Sequence, residues 1–117
     1  MTYEIEVLLK GQDQVIVRSV TYDRLDPANW TDEDVHEVLQ QILLEFNRAG
    51  NPDAEDPTVS FLGLSWIVTP VKDGVAIAIE VSSGAVVAGT FNVDVDWLTQ
   101  AITRVLAHSS TTESSVH

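Results

Sequence analysis

TVSFLGLSWIVTP (58–70), VKDGVAIAIEV (71–81) and SSGAVVAGTFN (82–92) follow one another without a break, and their reading decides the fold. Each run is apolar and rich in β-branched residues, and each junction is a short turn signal ending in glycine. Within the whole stretch only Lys72, Asp73 and Glu80 carry charge. A segment of this kind cannot stay in water, so it predicts a three-stranded antiparallel meander at the centre of a core. If Lys72-Asp73-Gly74 is a three-residue hairpin with glycine in the left-handed position, Val71 faces Val75, Thr69 faces Ile77 and Ile67 faces Ile79. Ser82-Ser83-Gly84 repeats the device, setting Val81 opposite Ala85 and Ile79 opposite Val87.

These registers sort the meander into two faces. Ile67, Val71, Val75, Ile77, Ile79, Val81, Val87 and Phe91 form a bulky core face. Trp66, Val68, Ala76, Ala78, Glu80, Val86, Ala88 and Thr90 form a second face of small side chains around one Trp and one carboxylate. A monomer rarely leaves such a face bare. The predicted interface is therefore Trp66, Val68, Ala76, Ala78, Glu80, Val86 and Ala88, covered by a second subunit or by a helix. Pro70 has no N–H to give a ladder, which places its strand at a sheet edge. Any further strands must then join beyond the third strand of the meander.

The N-terminus supplies them. Tyr3, Ile5, Val7 and Leu9 alternate with Thr2, Glu4, Glu6 and Lys10, with Leu8 as the exception, which is the pattern of a half-buried strand. Gly11-Gln12-Asp13 turns the chain into a second strand from Gln14 to Tyr22. A three-residue loop pairs Val7 with Val17 and Glu6 with Arg18, and it brings Val15 and Val17 beside Leu9 and Val7. A two-residue loop sets Arg18 opposite Ile5. The first register pairs opposite charges on the wet face and is preferred on that ground.

Two helices complete the chain. Asp23 to Asn29 is a Pro-containing loop, after which Thr31 and Asp34 fit a capping box, with Trp30 and Val35 as a hydrophobic staple. Val35, Val38, Leu39, Ile42, Leu43 and Phe46 continue as one apolar stripe, and Gly50-Asn51-Pro52 ends the helix. Asn51 to Pro57 reads as a polar linker. The second helix covers Asp94 to Ala107, capped by Asp94, with Leu98, Ile102 and Val105 as its stripe. The polar segment SSTTESSVH (109–117) predicts a disordered tail to a single domain of residues 1–108. The fold class is α+β in the order ββαβββα: a single antiparallel sheet of about five strands with two helices on one face.

Composition narrows function mainly by exclusion. At 117 residues and 44% hydrophobic content, with mean hydropathy +0.08, the chain can bury roughly two-thirds of its unfolded surface in one core. The formal net charge is −12, and 13 of the 18 acids fall in residues 1–57. A surface this acidic repels phosphate backbones and anionic bilayers, so neither nucleic acid nor membrane is an expected partner. With no cysteine there is no disulfide, thiolate metal site or thiol nucleophile. An N-terminus without a basic segment carries no secretory signal pattern, and a cytoplasmic location is the default.

No cluster reaches a chemical motif. Asp32 and His36 lie one helical turn apart among Glu33 and Glu37, but these acids already serve the helix N-terminus and dipole. Asn92, Asp94 and Asp96 alternate as in a calcium loop, yet Trp97 and Thr103 stand where its glycine and bidentate glutamate belong. Asp53, Glu55 and Asp56 read as a solvated acidic linker. His108, Glu113 and His117 sit in the tail without a third strong ligand nearby. No catalytic, cofactor or metal residue is assigned. The expected function is a small, acidic, non-catalytic protein-interaction module of the adaptor, inhibitor, immunity or chaperone kind, partnering a second copy of itself in a homodimer or a basic protein. The competing readings are a small-ligand-binding domain or a small enzyme with Glu80 in a pocket between sheet and helices.

Overall fold

The computed structural model describes residues 2–21, 29–50 and 64–115, with side chains as far as Ala107. The elements follow as β1 (Thr2–Leu9), β2 (Ile16–Thr21), α1 (Asp32–Gly50), β3 (Ser65–Val71), β4 (Gly74–Val81), β5 (Gly84–Phe91) and α2 (Val95–Ser115). The five strands form one antiparallel sheet in the order β2-β1-β5-β4-β3. Both helices pack against one side of it and against each other. This is the expected α+β fold, with the Pro70 strand at one edge and the N-terminal hairpin joined beyond β5. The segments read as the Asp23 loop, the Asn51–Pro57 linker and the start of the central stretch at 58–63 lie outside the described residues.

Local signals explain both helix starts. At α1 the Thr31 backbone N–H donates to Asp34 Oδ2 at 2.9 Å, and the Asp34 N–H donates to Thr31 Oγ1 at 3.3 Å, closing the capping box. Trp30 and Val35 are both buried, and all six residues of the predicted stripe are buried with them. At α2 the Trp97 N–H donates to Asp94 Oδ2 at 2.9 Å, the expected cap. Leu98, Ala101, Ile102 and Val105 face the core. The backbone of α2 remains helical to Ser115, past Ala107 and into the segment whose composition predicts disorder. Extending an existing helix adds one hydrogen bond per residue fixed, with no new nucleation cost.

The registers differ from expectation in all three hairpins, each time by one residue. Val71 pairs with Gly74, Thr69 with Ala76 and Ile67 with Ala78. Val81 pairs with Gly84, and Ile79 with Val86. In the N-terminal hairpin Arg18 stands opposite Ile5 and Val17 opposite Glu6, the register of the two-residue alternative. The glycines account for the first two corrections. Asp73, not Gly74, takes the left-handed turn position (φ 69°), a conformation that Asp tolerates better than most side chains. Gly74 and Gly84 instead begin the next strands, where a β-carbon would strike the carbonyl oxygens of Phe91 and Leu8 respectively. They are glycines on two counts: the neighbouring strand passes close, and each holds a positive φ (158° and 152°) that other residues rarely adopt.

A one-residue slip exchanges the two faces of a strand, so the consequences are large. Ile16 and Val20 turn toward the helices, Arg18 reaches Glu45 on α1 at 3.7 Å, and Val17 is left 56% exposed. The β4–β5 ladder also contains an irregularity. Val75 pairs with Phe91 but Ala76 with Gly89, so Thr90 is an extra residue. That bulge returns Phe91 to the helix side, where it is fully buried between Tyr3 (ring centroids 5.0 Å apart) and Trp30 (5.4 Å). The Tyr3 hydroxyl donates to Gln41 Oε1 at 2.9 Å. Burial, helped by the nearby Glu45 carboxylate, pushes the phenol's pKa well above its ordinary value, so Tyr3 remains a donor.

Two substitutions test this register by urea unfolding. Phe91→Ala empties the aromatic centre and should cost about 3–5 kcal/mol. Val17→Ala should change stability by no more than about 0.5 kcal/mol, as for an exposed site. A loss above 1.5 kcal/mol at Val17 would place it in the core and restore the three-residue register.

Candidate functional site

Burying one side of the sheet under α1 and α2 leaves the other side uncovered among the described residues. Following the ladders across the strands gives its rows. One runs Thr69, Ala76, Gly89, Glu4, Ser19; the next runs Ile67, Ala78, Val87, Glu6, Val17; a third runs Ser65, Glu80, Ala85, Leu8. Of the six large hydrophobic side chains exposed among the described residues, Leu8, Val17, Ile67, Val71 and Val87 belong to this side, and Val15 precedes β2. Ile67 is 61% exposed. An open sheet face ordinarily alternates to polar residues, so five such side chains on one surface mark it as the candidate site.

The predicted interface set does not lie together on it. Ala76, Ala78 and Glu80 do face this open side. Trp66, Val68, Val86 and Ala88 face the helices instead: Trp66 shares a row with Ile79 and Val86, and Val68 with Ile77 and Ala88. Val68, Val86 and Ala88 are buried there, and Trp66 is half-buried against the same core. The cause is the turn length. One residue fewer in each hairpin changes which meander residues share a face, and the bulge at Thr90 reverses the alternation again before Phe91. Ile67, Val71 and Val87, assigned to the core, are consequently the residues exposed on the open side. Leu8 was the visible hint, since it alone broke the alternation of β1.

Glu80 was the residue on which the pocket readings rested. It is exposed, with Ser65 and Ala85 as its cross-strand neighbours, and it makes no side-chain hydrogen bond or ion pair among the described residues. It borders a shallow, open depression of about 450 Å³ at the turn end of the sheet, lined also by Leu8, Lys10, Gln12 and Ser82. The Lys10 N–H donates to the Ser83 carbonyl at 2.9 Å, so the β4–β5 turn is tied to the end of β1 beneath this depression. Among the described residues no three His, Asp or Glu side chains converge to hold a metal ion. No helix among the described residues is long and apolar enough to cross a membrane.

The acid cluster at the start of α1 has a structural partner. Arg104 on α2 donates to Asp32 through Nε (2.9 Å to Oδ2) and Nη2 (2.9 Å to Oδ1), a bidentate pair joining the two helices. The Arg104 hydrogen bonds hold the Asp32 carboxyl below the usual carboxylate range, outweighing a small opposing effect of burial. An ionised carboxylate held by two guanidinium hydrogen bonds, Asp32 clasps α1 to α2. Asp53, Glu55 and Asp56 lie outside the described residues, as do the side chains of His108, Glu113 and His117.

Comparison with protein-family models, with curated proteins and with solved structures finds no match to this chain.

The Asp32–Arg104 clasp predicts a pH dependence of defined sign. Its folded-state pKa is depressed, so its contribution is full above the unfolded carboxylate value and fades as pH falls through the depressed one. Carboxyl-carbon NMR should find Asp32 titrating below an ordinary aspartate, and Arg104→Met should bring it back up. An unchanged Asp32 titration in that variant would remove the clasp.

Proposed function

We propose that this protein is a small, acidic, non-catalytic protein-interaction module that works through the open face of its sheet. Adaptor, inhibitor, immunity and chaperone roles all belong to that class. The observation that carries the reading is the segregation of five of the six large hydrophobics exposed among the described residues onto the one sheet face that neither helix covers. These side chains are already partly covered in the monomer, so complete burial of each would gain about 1 kcal/mol, and covering several is a substantial driving force for association. Rigid strands hold the face in place before a partner arrives, which limits the ordering cost of binding. A second copy of the chain, giving a homodimer, and a basic protein are the two occupants considered.

The alternative, a ligand or substrate site around Glu80, finds less support. The depression beside it is shallow and lies at the rim of the sheet rather than between sheet and helices. Ligand sites generally enclose most of their ligand.

Site-specific photocrosslinking in cells of the source organism distinguishes the faces. A photoreactive amino acid replacing Val87 should give protein adducts, with a second copy or with another chain. The same group replacing the exposed Gln100 on α2 should not. Equal adducts from both positions, or none from position 87, would end the proposal.

A further inference from the structure

Taking the open face as the binding surface, and resting on that reading, we infer that its occupant is an amphipathic helix of another protein with lysine or arginine along one flank, not a second copy of this chain. Shape and charge both point there.

The middle of the face is low. On β4 and β5 the outward residues are Ala76, Ala78, Ala85 and Gly89, with Val87 as the larger side chain in the middle and Glu80 at the turn end. Ile67 and Val71 stand on β3 to one side, and Glu4, Glu6 and Leu8 stand on β1 to the other. From β3 to β1 is three inter-strand spacings, about 14 Å. One α-helix with its side chains is about 10–12 Å across, so a single helix lying along the strands fits between these ridges. Its apolar stripe would meet Val87 and Ile67.

The charges select the helix and disfavour a second copy. Glu4, Glu6 and Glu80 point outward on this face, and no lysine or arginine stands in its paired rows. The nearest arginine in the sheet, Arg18, turns to the opposite side toward Glu45. Stacking two such faces would enclose Glu4 and Glu6 from each copy with no cation in their rows, since among the described residues Lys10 borders only the Glu80 end, and burying unpaired charge is expensive. A helix with basic residues on one flank sets them against Glu4 and Glu6 on β1, at the margin where water still reaches. Complementary charge there speeds encounter and fixes which way the helix lies.

Selection from a phage-displayed library of random 18-residue peptides tests this on the full chain, after depletion against the Val87→Asp variant. The enriched peptides should show apolar residues at i, i+3, i+4 and i+7 with Lys or Arg on one flank. A synthetic peptide of the enriched sequence should become helical on binding and lose at least 10-fold in affinity to Val87→Asp. The double variant Glu4→Gln/Glu6→Gln should weaken it several-fold. Asp13→Asn/Glu33→Gln, with the same change in net charge off the binding rows, should leave it within 2-fold, separating local complementarity from general attraction to an acidic protein. Circular dichroism of each variant alone verifies that it is folded. Enrichment of acidic or extended peptides, or no enrichment over the variant, would overturn the helix. Light scattering that shows a dimer dissociated by Val87→Asp would also overturn it, while leaving the interaction module itself intact. Peptides that bind both Val87→Asp and the unaltered chain equally would remove the open face as the binding surface, and with it both readings.

Discussion

Residues Glu4 to Leu9 pair antiparallel with residues Gly84 to Gly89, and on this ladder the rest of the structure depends. The hairpin of β1 and β2 and the meander of β3, β4 and β5 are each local units, and no other pair of strands joins them. The partners lie 75 to 85 positions apart in the chain, from Leu9–Gly84 to Glu4–Gly89. Closing so long a loop is entropically costly, and the return comes from a row of buried side chains: Ile5 and Val7 against Ala88 and Val86, all nearly inaccessible. Gly84 sits where the Leu8 carbonyl leaves no space for a β-carbon, so the strands can pair to the end of β1. With the two units joined, α1 and α2 gain a continuous surface on which to bury their stripes.

Joining the units on one side also determines what is left on the other. Five strands provide a broad sheet, and two helices cover only one face of it. The opposite face inherits whatever the alternation puts there, and in this chain that is a mixture of valine, leucine and isoleucine with three glutamates. The glutamates make the uncovered apolar area tolerable in water and oppose self-stacking. On the proposed reading the same side chains would act in two ways, opposing self-association and leaving the apolar strip accessible to a partner of opposite charge.

Much of the fold was legible because it rests on signals that act over a few residues. The Thr31–Asp34 box, the Asp94 cap, the helical stripes and the edge position of Pro70 are all local, and all appear where the residues suggested. The candidate face was not legible as a set, for a physical reason: membership of a strand face is a parity, and one residue in a turn inverts it. Glycine at positions 74 and 84 has two competing explanations, a left-handed turn or a close strand crossing, and the sequence cannot separate them. In the structure both glycines combine a positive φ with the close passage of a neighbouring strand, at Phe91 and Leu8. Arg18 likewise paired plausibly with Glu6 across a hairpin, whereas its partner Glu45 comes from a helix 27 positions further along.

The place of β5 in the sheet has a consequence for how the molecule comes into being. It is the last strand in the chain and the central one in the sheet, flanked by β1 and β4. As the protein emerges from the ribosome, β1 and β2 are complete while the strand that must receive them has not been made. Throughout that interval Ile5 and Val7 have no sheet to enter, and the β1 edge offers unpaired N–H and C=O groups to any chain nearby. The edge of β1 that β5 will cover therefore stays open until β5 has been made.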